Sequence, residues 1–463
     1  MNRFLILDEM TATGYKELDK DTLSKLWRGF TFTVSELYVK TERDLPEIVI
    51  GDAKSPDLPI GAEYAYKVSA LGAAITAKDK QALMRGFFDL LMQVEYTAAG
   101  ELYIRECEGR SSFLFENRMI HICAFAQTKM IDLKRLVRLA ASVGYTHAVL
   151  EFWGMFPYEC EKGLAWDEAY SKDEIRELVS EMRSLGILPI PMLNHLGHAA
   201  SGRVTGGKHA VLDRAPWLYK YFTPDGWAWD ISSPYTRSLL KEMREEQYEV
   251  FGECDFFHLG LDEAYMYATS DTHKAALPEY LAYLTDEVVN EGVRPMIWMD
   301  MFLPPESGTN HICTCKDKSD MESALSSLNK KTVLVDWEYN FTATPFPTTD
   351  YIVKSDTGFD VMCAPWTSPE NFRAAIGTVK TLSTFGLMMT TWHTMAKKMS
   401  SVLEAARAFG APKAPWSDFS GSIEGAREEC ATLLRKLSFE GIKTYREAGW
   451  CDDEITLSIG EIG

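Results

Sequence analysis

Apolar residues recur at helical spacing over 78–96, where Leu83, Phe87, Leu90, Leu91 and Val94 share one face. Just before it, 63–76 alternates in the manner of two strands joined by a turn near Leu71 and Gly72, and Tyr103-Ile104 reads as a further short strand. From residue 118 the pattern changes to short apolar runs separated by amphipathic stretches. The runs 119–125, 145–152, 187–193, 254–260, 294–300, 332–339, 359–365 and 387–393 predict strands. The stretches 131–144, 171–186, 233–252, 274–291, 319–329 and 368–386 predict helices, of which 171–186 has Ser171 as N-cap, an acidic first turn and Gly186 at its end. Between 339 and 359 only a connection is predicted. Eight strands, most followed by helices, fit a (β/α)8 barrel of the TIM type in the α/β class. An open doubly wound sheet is the alternative, but the Gly-rich loop that usually follows its first strand is missing. The expected organisation is a small α+β domain over 1–115, the barrel over 116–400, and a helical segment over 401–463 that packs on the barrel.

Composition narrows the partners. The 463 residues carry 48 Lys+Arg against 67 Asp+Glu, a formal net charge of −19, which repels nucleic acid and anionic membranes. No apolar run approaches the roughly 18–20 residues of a membrane helix. Nine cysteines are scattered, and the one close pair, Cys313 and Cys315, has no second pair to complete a zinc site. Free thiols and the lack of a leader-like start point to the cytoplasm, although a secreted chain trimmed of its leader reads the same way.

A barrel of this kind carries its chemistry at the C-terminal ends of its strands. Reading those ends in turn gives Gln127; Glu151 and Trp153; Asn194, His195 and His198; His258, Asp262, Glu263 and Tyr265; Trp298 and Asp300; Asp336, Trp337, Glu338 and Tyr339; Trp366; and Trp392 with His393. Carboxylates, histidines and tryptophans thus gather on one face. The sharpest feature is FFHLGLDEAY over 256–265, an apolar strand that runs through a glycine into two adjacent carboxylates. Neighbours in a regular strand point to opposite faces, so both carboxyls reach one ligand only where the strand has stopped. Such a pair suits a glycosidic bond, which needs a proton donor at the leaving oxygen and a second group to offset positive charge at the anomeric carbon.

The chain resembles glycoside hydrolase family 20, the β-N-acetylhexosaminidases. HLGLDE is similar to that family's H-x-G-x-D-E signature, 171–199 to its helix–strand segment ending in P-G-H with Leu196 in the proline position, and MIWMDMF over 296–302 to its Trp-containing fifth strand. Residues 63–96 resemble the small domain that precedes the family's barrel, and the similarity runs over roughly 60–395. The resemblance implies exo-acting removal of terminal β-linked N-acetylhexosamine with retention. The substrate's 2-acetamido group is the nucleophile, an oxazolinium-like intermediate forms, and neither cofactor nor metal is needed. It implies Glu263 as general acid and base and Asp262 as the group that orients the acetamido N–H. It assigns Arg118 to the sugar hydroxyls, His198 to the acidic pair, and Trp298, Trp337 and Trp392 to an apolar box around the acetamido methyl. Tyr339 stands in for the family tyrosine on the acetamido oxygen.

Departures from the family pattern bear on specificity. Met119 follows Arg118 where the family has glycine, and Cys123 occupies an aspartate position. Asn194 also stands for an aspartate, Pro365-Trp366-Thr367 replaces Tyr-x-Asp, and Trp392-His393-Thr394 replaces Trp-x-Glu. Recognition of the sugar's outer hydroxyls is therefore expected to differ. Two other readings stay open at this point: a metal-dependent barrel hydrolase holding zinc on His195, His198, His258 and Asp262, and a non-catalytic glycan-binding protein on a hydrolase scaffold.

Overall fold

The computed structural model describes residues 3–5, 10–14, 18–31, 37–40, 47–51, 54–69, 72–96, 102–199, 211–392, 399–417 and 423–439. Eight parallel strands close into a barrel in chain order. They are β1 (Asn117–Cys123), β2 (His147–Glu151), β3 (Leu188–Met192), β4 (Phe256–His258), β5 (Arg294–Trp298), β6 (Val333–Trp337), β7 (Asp360–Ala364) and β8 (Gly386–Thr390). The ring shuts where β1 pairs with β8, Asn117 beside Gly386 and His121 beside Thr390. Helices lie outside, and each buries the face its periodicity predicts. In Lys172–Ser184 these are Ile175, Leu178, Val179 and Met182, and the Ser171 side chain and Glu174 close a reciprocal capping box at its start. Inside the ring, alternate residues such as Met119, Val149, Ile190, Met296, Val335, Met362 and Met388 fill the barrel. The chain between β6 and β7 is not a plain connection, since Pro347–Lys354 forms a helix there.

Ahead of the barrel, a six-stranded sheet takes the order Leu37–Lys40, Met10–Gly14, Glu47–Gly51, Gly72–Ala77, Tyr64–Ser69, Cys107–Arg110. The helix Lys80–Met92, N-capped by Asp79, packs on it. The predicted turn at Leu71 lies outside the described residues. After the barrel, Met399–Ala408 and Ile423–Lys436 are helical, with Val402 and Leu437 accepting hydrogen bonds from Tyr145 and Arg138 of the barrel layer. Residues 440–463, and His393 and Thr394 after β8, lie outside the described residues.

Arg118 does not reach the candidate site at the C-terminal ends of the strands. It is the second residue of β1 and so stands at the strand's N-terminal end, opposite the face where Asp262 and Glu263 lie. Its guanidinium is fully buried, stacks 3.8 Å from the Phe113 ring centroid, and donates to Glu63 and to the carbonyls of Phe115, Glu116 and Gly144. Burial would raise the Glu63 carboxyl, but the charges of Arg85 and Arg118 outweigh it and leave the group below its ordinary value. This residue is therefore the joint between the small domain and the barrel. Removing one partner of a buried pair strands the other, so Arg118→Met should cost roughly 3–5 kcal/mol in chemical denaturation. Unchanged stability would mean that Arg118 is not this joint.

Candidate active site

Strand β4 ends at His258, two residues short of the predicted 260, because the chain turns out of the sheet. Gly260 has φ +68°, and a Cβ there would lie 1.9 Å from Asn194 Oδ1. The next turns are made without glycine: Leu261 has φ 83° and Glu263 φ 47°. Of seven non-glycine residues with positive φ among those described, five gather here: Trp153, His198, Leu261, Glu263 and Trp392. Each is an energetically unfavourable backbone state that persists only where surrounding contacts enforce it, and such states concentrate at functional sites.

Those contacts are visible. The Glu263 N–H donates to Asp300 Oδ2 at 3.0 Å, and its carbonyl accepts from Tyr265 N at 3.0 Å and from Trp227 Nε1 at 2.6 Å. The loop after β3 presses against the same segment at Gly197, where a Cβ would lie 1.9 Å from the Asp262 carbonyl oxygen. Thus the carboxylates of two adjacent residues are both turned toward His198, whose Nε2 lies 2.8 Å from Glu263 Oε2 and 3.4 Å from Asp262 Oδ2. Asp262 is nearly buried, with 3% of its side chain exposed, whereas Glu263 keeps 30%. Glu263 therefore has the access to solvent and leaving group that an acid and base needs, and Asp262 has the enclosure suited to a fixed charge. Trp153 stacks over His198 at 6.5 Å and 19°, and Trp227 tilts against its ring at 4.7 Å.

The aromatic candidates form one wall. Trp298 and Trp392 lie 5.8 Å apart, Trp392 Nε1 donates to the Tyr339 hydroxyl, and Tyr339 packs on Trp337 at 4.9 Å. Trp337 Nε1 in turn donates to Asp300 Oδ1 at 3.0 Å, so the wall and the Glu263 backbone share one carboxylate. Burial pushes the Tyr339 hydroxyl well up, and the nearby Asp262 carboxylate adds to it, so this phenol stays neutral. Trp298 is fully buried at the top of the barrel core, against His258 at 4.4 Å and His121 at 5.7 Å.

Sequence reasoning placed Asp300 at the end of the fifth strand but gave it no role, and it stands in the short 3-10 turn Asp300–Phe302 just past β5. Burial raises its carboxyl to about 6, opposed by nearby His311. His311 itself packs 3.9 Å from Trp337 and pairs with Glu338 at 3.4 Å. Trp227 and His311 come from loops, where no periodicity marks them. The zinc grouping of His195, His198, His258 and Asp262 is not assembled. The His195 ring turns against Phe257 with Nδ1 on the Leu193 carbonyl, and burial lowers it to about 3. His258 uses its Nδ1 as acceptor for the Gly260 N–H.

No family model matches the chain. A probable β-hexosaminidase of Drosophila melanogaster is 29% identical over 102 residues, 21% of this chain and 16% of that protein. A β-hexosaminidase of Emericella nidulans is 31% identical over 103 residues, 21% of this chain and 17% of that protein. The match spans about a sixth of the length of these curated relatives. Among solved structures, a β-N-acetylhexosaminidase from Bacteroides fragilis superposes with a TM-score of 0.66 at 14% identity, covering 93% of both chains. Flavobacterium johnsoniae chitobiase gives 0.65 at 15% identity over 96% of this chain and 72% of that one. A variant of Streptomyces plicatus β-hexosaminidase, in complex with its product GlcNAc, gives 0.64 at 13% identity over 96% and 93%. The likeness to the solved structures is one of fold, and it extends over nearly the whole chain. The resemblance to glycoside hydrolase family 20 read from the signature thus has support in sequence over a fifth of the chain and in architecture over almost all of it.

Proposed function

We propose that this chain, with the barrel and the Asp-Glu signature of glycoside hydrolase family 20, is an exo-acting β-N-acetylhexosaminidase that works with retention through its substrate's own 2-acetamido group. The observation that carries the reading is the pair Asp262–Glu263, turned out of β4 by strained backbone onto one histidine and facing an aromatic wall. Glu263 donates its proton to the glycosidic oxygen as the C1–O bond breaks. The acetamido carbonyl oxygen closes on C1, and Asp262 accepts the amide N–H and offsets the positive charge that spreads into the new ring. Glu263, now a carboxylate, takes a proton from the water that opens this oxazolinium at C1, and the sugar leaves with its configuration retained. His198, within reach of both carboxylates, fixes their relative position. Trp337, Trp392 and Tyr339 form the wall suited to the acetamido methyl and carbonyl.

The deciding measurement compares aryl β-glycosides that differ only at C2. A 2-acetamido substrate should turn over at least roughly 10³-fold faster than its 2-hydroxy counterpart, because an intramolecular nucleophile is worth effective molarities of about 10⁵–10⁸ M. A thiazoline that mimics the ring-closed intermediate should compete with the sugar. Equal rates on both substrates would reject substrate assistance. Saturable glycan binding without turnover of any aryl glycoside would instead favour a binding protein on this scaffold.

A further inference from the structure

We propose that His121, Cys123 and Glu151 form a site for one divalent transition-metal ion of the zinc class, set in the barrel wall beneath the sugar pocket. His121 and Cys123 are two apart on β1 and so share its inner face, and Glu151, the last residue of β2, is the register partner of Cys123. All three are fully buried, and their ligand atoms lie within 4.8 Å of one another. The triangle they define has sides of 3.6 Å from Cys123 Sγ to His121 Nε2, 3.0 Å from His121 Nε2 to Glu151 Oε2, and 2.8 Å from Cys123 Sγ to Glu151 Oε2. Four-coordinate zinc, with bonds of about 2.0–2.3 Å, needs edges of roughly 3.4–3.6 Å. The sulfur–nitrogen edge already has that length. The other two open to it when the one carboxylate oxygen withdraws by a few tenths of an ångström, a rotation within the reach of a glutamate side chain.

The chemistry of the donors points the same way. An imidazole, a thiolate and a carboxylate select zinc, cobalt(II) and similar ions over magnesium and calcium, which prefer oxygen alone. Binding converts the Cys123 thiol to thiolate, so one proton leaves for each ion that enters. The outer support that metal sites use is also present: Asn194 Nδ2 donates to Glu151 Oε1 at 2.7 Å and fixes the carboxylate that must turn. All three ligands sit in rigid strand rather than in loop. The sequence does not reveal the grouping, because Cys123 and Glu151 are 28 residues apart and meet only when β1 pairs with β2. The site is separate from the carboxylates assigned to hydrolysis, and the inference stands whether or not the chain cleaves hexosaminides.

The test uses the full chain stripped with a chelator and titrated first with cobalt(II), then with zinc. One cobalt should bind, with thiolate-to-metal charge-transfer absorption in the near ultraviolet and the visible bands of a four-coordinate ion, and zinc should abolish both. Cys123→Ser should lose the charge-transfer absorption. Asn194→Ala should weaken binding by roughly 10–100-fold, and Cys160→Ser, at a half-buried cysteine elsewhere, should change nothing. Should Cys123→Ser fail to fold, X-ray absorption of the zinc-loaded unaltered protein serves instead, and should show one sulfur neighbour at about 2.3 Å. No charge-transfer absorption, its survival in Cys123→Ser, or a zinc shell without sulfur would overturn the proposal. No arm measures turnover, so its failure and that of the hexosaminidase reading are distinguishable.

Discussion

Glu263→Gln should lose roughly 10²–10⁴-fold in kcat/KM on substrates with poor leaving groups, the usual worth of a positioned proton donor. The amide keeps the size of the carboxyl and leaves the backbone hydrogen bonds of residue 263 to Asp300, Tyr265 and Trp227 in place. The loss therefore reports chemistry and not collapse of the turn. Aryl aglycones that leave without a proton should be spared in the first step, which separates a missing acid from a disordered site. Steady-state rates on a series of leaving groups read this directly as a steeper dependence on leaving-group pKa. Equal losses across the series would mean that another residue protonates the bond. Glu151 and Glu338 were the next carboxylates by strand position, but the first is enclosed with His121, Cys123 and Asn194 and the second pairs with His311.

The second large effect is expected at Asp262. Asp262→Asn keeps the volume and one acceptor but removes the charge that offsets ring closure. That contact strengthens as the transition state is approached, so its loss should fall on kcat more than on KM. One preorganised electrostatic contact is worth about 10²–10³-fold, and a drop of that order, with an unchanged melting profile, is the expected result. A trapped covalent sugar, or a full rate, would mean a direct nucleophile elsewhere in the site.

Much of the site was legible because barrel chemistry collects at strand ends, and strand ends can be counted. The acidic pair, His198, Trp337, Tyr339 and Trp392 all follow from that rule and from the signature. Arg118 shows where the rule was not applied strictly enough. It precedes Cys123 by five residues of a continuous strand, about 16 Å of chain, so it occupies the end of β1 away from the site. Matching a motif by adjacency overrode what strand length implies. Trp298 was placed correctly at the end of β5 but is enclosed by neighbouring rings, and burial on both sides cannot be read from a tryptophan's position in a run. The strained turn at 261–263 had only Gly260 to announce it, because the contacts that enforce positive φ come from the segments after β3 and β5 and from the loop carrying Trp227, all remote in sequence. The Pro347–Lys354 helix was missed for a simpler reason: two turns of chain are too short for a hydrophobic period to stand out.

The pairing of β1 with β8 sets a schedule for biosynthesis. The first strand of the ring ends at Cys123 and its last at Thr390, so 267 residues separate completion of the two (390 − 123). At about 5–20 residues per second, a ribosome spends roughly 13–53 s on that interval. Once β2 is made, β1 has it on one side and an open edge on the other until β8 arrives, ready to accept another strand. The small domain, whose Glu63 is already made and waiting for Arg118, can hold β1 in place during this time. A nascent chain lacking it would leave β1 unanchored beside its open edge and strand the buried Arg118 without Glu63, so both aggregation during synthesis and a less stable finished barrel would limit its yield.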